Sequence, residues 1–347
     1  MDLPLIWAVL IAVAVMMYVV LDGMDLGVGM LSAFAEDDEE RKMMSATIEP
    51  VWDGNETWLI LGGGGLFAAF PLAYAVIMPA VYLPVLVMLA ALIFRGVAFE
   101  FRHKAVRPPT RRFWNGAFYG GSLVAAFSQG LILGAFIAGF ETDGRNFAGG
   151  AFDWLSPFSL LTGVSVTIGY ILLGACWLVL KTEGELQTKA KRFGLMALIA
   201  VSICFALVSL ATLSIDPRVT ERWGLSMTEF DFAKILPLSP VPLAGLVLTF
   251  WLARDLLRIG TPESGPEWRP YLLAIGIFLS GYVGLAISLF PWLVPFEFNL
   301  WQAAARDNAL GLMLVGAAIM LPLILLYTAY VYSLFWGKVK PGDGYHA

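Results

Sequence analysis

The chain has 347 residues, of which 59% are hydrophobic and 14% charged, and a formal net charge of −5; its mean hydropathy is +0.76. No soluble domain of this length carries so much apolar surface, and runs long enough to cross a bilayer recur along the whole sequence. The negative balance argues against a nucleic-acid partner, and the two cysteines, Cys176 and Cys204, stand singly in apolar segments without the spacing of a redox or metal pair.

Hydropathy predicts nine spans, near residues 4–31, 54–72, 77–100, 114–140, 157–180, 194–214, 237–258, 270–290 and 308–336. The first, Leu3 to Leu31, is longer than a signal-peptide core, lacks a basic leader and precedes further spans, so it is expected to be retained. Sixteen Lys and Arg residues, from Arg41 to Lys340, fall in the odd-numbered loops and the C-terminal tail, against five (Arg145, Arg218, Arg222, Lys234 and Arg306) on the opposite side. The positive-inside rule then makes the N-terminus periplasmic and the C-terminus cytoplasmic. Connections are short, and the longest, around 141–156 and 215–236, leave no room for a second domain. The expectation is an all-α polytopic membrane protein: a single transmembrane domain over residues 1–347, its nine transmembrane helices packed as antiparallel bundles.

Function must then come from polar groups in or beside the spans, because hydrocarbon rejects charge and an intramembrane carboxylate is a functional-site candidate by default. Asp22 and Asp25, three residues apart in LDGMDLGVG, share one turn near the cytoplasmic end of the first helix. Asp53 opens the second helix from that side, in a stretch that also holds Glu49 and Glu56, and Glu100 closes the third, with Arg95 about a turn and a half deeper. Three helices thus bring acids to one membrane face. Burial favours the protonated carboxyl and a neighbouring cation the ionised one, a balance that suits groups which load and release protons. The plainer alternatives are that Asp53 caps a helix and that Glu100 sits among headgroups.

Gly62 to Gly65, and the glycines around Gln129 (Gly120, Gly121, Gly130 and Gly134), permit close approach of another helix or of a flat ligand. Trp58 lies deep for an interfacial anchor, and at a span mouth it can also line a gate for small apolar molecules. The only histidines are His103, in a loop, and His346, in the tail, so no predicted span carries the ligand that heme or copper in a bundle usually requires.

At these residues a resemblance becomes specific. LDGMDLGVGML at 21–31, PVWDGNETWL at 50–59, GGGGLFAAFPLAYA at 62–75 and RGVAFEFR at 95–102, followed by SQG at 128–130 and PLILLYTAYVY at 322–332, are similar to subunit II of the cytochrome bd-type quinol oxidases, essentially from end to end. The resemblance implies a subunit of a bacterial cytoplasmic-membrane enzyme that oxidises quinol and reduces dioxygen to water. It implies a similarly folded subunit I holding two b-type hemes, heme d and the quinol site, and no cofactor in this chain. A structural quinone or lipid and a small single-helix accessory subunit are compatible with it. Carried over by motif, Asp53 and Glu100 match acids of a cytoplasmic proton route with Asp25 beside them, and Trp58 matches a tryptophan at the mouth of an oxygen channel. Glu100 stands where some members have aspartate, and Gly96 where some have proline; the pattern resembles the cyanide-insensitive branch. Without the motifs, the same acids and glycines would suit a cofactor-free transporter, a proton-conducting membrane protein or a structural assembly partner.

Overall fold

The computed structural model describes residues 1–225 and 230–340; His346 lies outside them. Among the described residues it is all-α apart from two short hairpins and an isolated bridge between Leu225 and Phe230. Helix α1 (Leu3–Leu31) begins with Asp2, whose side chain accepts from the Leu5 amide at 3.1 Å, and with a proline in its first turn. It runs through the middle of the molecule, packed on α3 (Trp52–Ala69), α6 (Pro108–Ala138) and α7 (Pro157–Lys181). Between α1 and α3 lies the short surface helix α2 (Asp38–Ala46), with Asp37 at its N-cap and acids filling its first turn.

The chain then breaks where hydropathy predicts two continuous spans. Helix α3 stops at Ala69, Phe70 leaves helical geometry, and α4 (Pro71–Ala80) runs for only ten residues before α5 (Tyr82–Lys104). Pro71 removes an amide donor and keeps the residue before it out of the α region, which accounts for the break. At about 15 Å, α4 is too short to span. Among the described residues eight helices are long and apolar enough to cross a membrane. Helix α3 is not one of them, because Asp53, Asn55, Glu56 and the glycine run dilute its eighteen residues.

Helix α6 starts six residues before its predicted span and α8 (Gly184–Leu213) ten before, since helical geometry continues through charged ends that hydropathy rejects. A hairpin of β1 (Thr142–Asp143) and β2 (Asn146–Phe147) joins α6 to α7, whose N-terminus carries a capping box between Ser156 and Ser159. Short helices α9 (Pro217–Arg222) and α10 (Phe232–Leu238) lead into the antiparallel pair α11 (Pro240–Arg258) and α12 (Arg269–Leu289). A second hairpin, β3 (Trp292–Val294) with β4 (Phe298–Asn299), and the turn α13 (Leu300–Ala303) precede α14 (Asp307–Leu334).

Close approach of α1, α6 and α7 forms the core. A Cβ added at Gly27 would fall 1.9 Å from the Tyr170 carbonyl oxygen, and one at Gly130 would fall 2.5 Å from the Gly163 Cα. The run Gly62–Gly65 is divided: Gly62 and Gly65 pack on Val15 and Ile11 of α1, whereas Gly63 and Gly64 face away with nothing within 4 Å. Helix α14 is the least buried long helix and is held mainly at its ends. The Trp7 indole donates to the Leu310 carbonyl and the Ala305 amide to that of Ala69 at one end. At the other, Lys181 donates to the Phe335 and Gly337 carbonyls, and the Val339 amide bonds back to Lys181. Between α14, α1, α7 and α12 an apolar cavity of about 560 Å³ is lined by Met17, Trp177, Tyr271, Leu325 and Tyr332, among others.

Candidate functional site

The two acids of the first helix lie inside the bundle, both fully buried. Their sequence context explains it: Gly23 lies between them and packs on the Tyr170 ring, so α7 closes over this turn. Arg95 of α5, also fully buried, donates from Nη1 to Asp22 Oδ1 at 3.0 Å, and the same nitrogen is 3.7 Å from Glu56 Oε2 on α3. Its guanidinium carbon lies 5.9 Å from the Trp52 ring centroid. Asp25 is held differently. Asn55 donates to its Oδ2 at 2.8 Å, and the Tyr332 hydroxyl of α14 donates to the Asn55 carbonyl oxygen at 3.0 Å. Beside Asp25, the Tyr271 hydroxyl of α12 contacts the Met24 sulfur at 3.0 Å.

Four buried atoms of this cluster, Asp22 Oδ2, Asp25 Oδ1, and Arg95 Nε and Nη2, have no hydrogen-bond partner. One guanidinium therefore pairs with the buried Asp22 carboxylate and lies near that of Glu56, whose side chain is 29% exposed, while the third acid, Asp25, is held by Asn55. With three carboxyls to one cation, one of the acids can take up a proton without leaving the cation bare.

The other sequence-selected residues lie around this core and do not join it. Asp53 is exposed in the first turn of α3 and accepts no capping bond; the N-cap is Val51. The capping expectation therefore fails, because the preceding turn already engages this helix start: the Val51 and Trp52 amides both bond to the Ile48 carbonyl. Glu100 is exposed on α5 and pairs only loosely with Lys104 at 3.9 Å. Trp58 is 3% exposed and packs with Ala14 and Tyr18 of α1. Asn55, Tyr332 and the bridge by which Gln129 donates to the Tyr18 hydroxyl and accepts from that of Tyr170, both at 2.7 Å, are absent from the sequence reading. Asn55 shares the face of Trp52 and Trp58 by helical spacing, a signal that was available, whereas its partner Tyr332 lies 277 residues away.

Among the described residues no group of three or more His, Cys, Asp or Glu side chains is placed to hold a metal ion. The buried cluster offers carboxylate, amide and guanidinium groups, and the Met24 sulfur beside them already contacts the Tyr271 hydroxyl, so its chemistry does not fit a heme and no step is assigned to one on this chain.

Fold and site together define a polytopic helical membrane protein with an ionisable cluster sealed inside its bundle. Residues 3–335 match the family model of cytochrome bd terminal oxidase subunit II, and the chain belongs to that family. It is 31% identical to subunit 2 of the cytochrome bd-I ubiquinol oxidase of Escherichia coli K12, over 98% of this chain and 96% of that protein. It is also 31% identical to the cytochrome bd ubiquinol oxidase subunit 2 of Bacillus subtilis 168, over 96% of each. These relatives are subunits of an oxidoreductase complex. A chain in the structure of bd oxidase from Geobacillus thermodenitrificans superposes with a TM-score of 0.76 over 96% of this chain and 98% of that one; at 10% identity it shows the shared fold alone.

Proposed function

We propose that this chain is the heme-free subunit II of a bd-type terminal quinol oxidase in a bacterial cytoplasmic membrane, acting with a heme-bearing subunit I. In that complex quinol is oxidised and dioxygen reduced to water at cofactors of the partner. This chain supplies a proton route from the cytoplasm, an oxygen path and structural support. The observation that carries the reading is the buried Asp22–Arg95 pair with Asp25 and Glu56 beside it, built from the same motifs that match the family.

In this reading α3 is the ninth span, residues 1–347 form one transmembrane domain, and the N-terminus is periplasmic, as the cation asymmetry requires. Asp53 and Glu100 stand exposed on α3 and α5, where they collect protons and pass them toward subunit I, with Asp25 as the buried reservoir. Gly63 and Gly64, open on the outer face of α3, leave room for a partner helix. Trp58 shapes the passage of dioxygen by bulk rather than by ionisation. The apolar, aromatic lining of the 560 Å³ cavity fits the chain of a structural quinone or lipid.

The test is Asp53→Asn and Glu100→Gln in the purified complex, amides that keep size and much of the hydrogen bonding. Quinol-driven oxygen consumption falls at normal heme content and yield. Unchanged turnover in an intact complex rejects the proton route. Recovery of the chain from mild detergent without a heme-bearing partner would instead restore the transporter reading.

A further inference from the structure

The turn between α5 and α6 gathers cations that the proton route does not use. Lys104, Arg107, Arg111 and Arg112 fall within nine residues, and the first turn of α6 holds no acid. Arg111 pairs with Asp38 of α2 at 3.0 Å and donates to the Ala105 carbonyl, which fixes the turn. Lys104 lies 3.9 Å from Glu100, one turn earlier on α5. Arg107 and Arg112 are exposed and, among the described residues, are met by no carboxylate. Arg102, close by in sequence, is buried against the Phe99 and Phe118 rings and does not belong to this surface.

Large apolar side chains stand beside these charges. Val106, in the turn itself, is 87% exposed, Phe101 52% and Phe113 59%. The two phenylalanines flank the Trp114 ring at centroid distances of 5.4 and 5.0 Å, so they form one aromatic group rather than scattered residues. Water suits that group poorly, and hydrocarbon suits arginine poorly. Helix length sets the depth at which both are satisfied. The 31 residues of α6 extend about 46 Å, enough to cross the hydrocarbon and the headgroup layers on both sides. The turn therefore lies at the level of the lipid phosphates, with Phe101 and Phe113 on its membrane side.

We propose that this turn holds an anionic glycerophospholipid of the cytoplasmic leaflet, Arg107 and Arg112 taking the phosphate while Val106, Phe101 and Phe113 pack on the glycerol end of the chains. Guanidinium groups keep their charge at any working pH and match phosphate oxygens in pairs. Charge selects the occupant: a zwitterionic headgroup would bring another cation to a turn already in excess, and a free phosphate ion would leave the aromatic group in water. The inference rests on the orientation in the reading above, which puts this turn on the cytoplasmic side.

The experiment uses the purified complex. Phosphatidylglycerol and phosphatidylcholine with identical chains, each carrying a photoactivatable diazirine near the glycerol, are titrated in, and the crosslinked peptides are mapped. Phosphatidylglycerol is expected to label residues 101–114 at lower concentration than phosphatidylcholine, and inorganic phosphate at constant ionic strength does not displace it. Arg107→Gln with Arg112→Gln weakens that labelling about thirtyfold, the effect of two cations lost at an anionic membrane surface. Lys42→Gln with Arg192→Gln, which removes the same charge from exposed positions elsewhere on that side, leaves it unchanged. Phe113→Ala weakens labelling by both lipids. No labelling of this turn, equal labelling by the two lipids, or an undiminished preference in the arginine variant overturns the proposal; the same loss in the control variant reduces it to diffuse surface charge and overturns it too. Reaction of Arg107→Cys with a membrane-impermeant maleimide separates the two readings. If the thiol reacts from the cytoplasmic side and no lipid preference is found, the lipid site alone fails; if it reacts from the periplasmic side, the orientation fails with it.

Discussion

Replacing Arg95 with leucine is the most informative single change, because it separates a desolvated ion pair from an ornamental one. The side chains of Arg95 and Asp22 are 1% and 0% exposed and meet at 3.0 Å, so solvent does not screen them. Removing the cation leaves Asp22 buried with no counter-charge and Glu56 without its neighbour at 3.7 Å. Breaking a buried pair from one side costs about 3–5 kcal/mol. At roughly 2 °C per kcal/mol for a large domain, the melting temperature drops by about 6–10 °C. The assay is thermal unfolding of the detergent-purified complex, followed by tryptophan fluorescence. The double variant Arg95→Leu with Asp22→Leu should regain most of the loss, because an apolar pair of similar volume removes the stranded charge. A shift below about 2 °C for Arg95→Leu, or a double variant no more stable than the single, would refute the reasoning.

Gly27→Ala should disrupt α1–α7 packing and lower complex yield, since its Cβ would meet the Tyr170 backbone at 1.9 Å, whereas Gly120→Ala, with nothing within 4 Å, should be neutral or stabilise by about 0.5–1 kcal/mol; parallel thermal melts decide it. Trp58→Ala should alter the rate of oxygen binding after flash photolysis of the carbon monoxide complex while Trp58→Phe and quinol affinity change little, and equal rates in all three would remove Trp58 from the oxygen path. In the loop after α8, bonds from Arg218 hold the Asp216 carboxyl below the usual carboxylate range. The stability this contributes, at most about 1 kcal/mol for so exposed a pair, is complete above pH ~4 and lost as pH falls through the depressed value. Proteolysis of that loop as a function of pH should therefore differ between parent and Asp216→Ala only above that window.

The placement of charge in this fold was partly legible before any coordinates. Asp22 and Asp25 share a turn by spacing alone, and Arg95 is the one cation set deep in an apolar run, so their meeting follows from helix periodicity and the cost of burying charge. Asp53 and Glu100 stand out by their places at helix ends on one membrane face and again through family motifs, yet both lie outside the buried cluster, since periodicity says which residues share a face but not which face is covered. The pairings of Asn55 with Tyr332 and of Gln129 with Tyr18 and Tyr170 join positions 41 to 277 residues apart, which no local pattern encodes. Pro71 was visible as a breaker, yet apolar residues on both sides concealed the short α4.

The attachment of α14 by its ends has a consequence for biogenesis. Asp22, Asp25, Asn55, Glu56 and Arg95 all belong to the first third of the chain and enter the bilayer early, whereas Tyr332, which orients Asn55 from across the bundle, emerges from the ribosome almost last. The acid cluster therefore spends most of synthesis without its final hydrogen-bonding partner. The tail that straps Phe335 and Val339 to Lys181 comes later still, so a chain truncated before it is expected to insert its charges and spans but to leave the last helix unmoored at that end. Ribosome-stalled chains of increasing length should thus acquire protease resistance around Asn55 only once residues beyond 339 have cleared the exit tunnel.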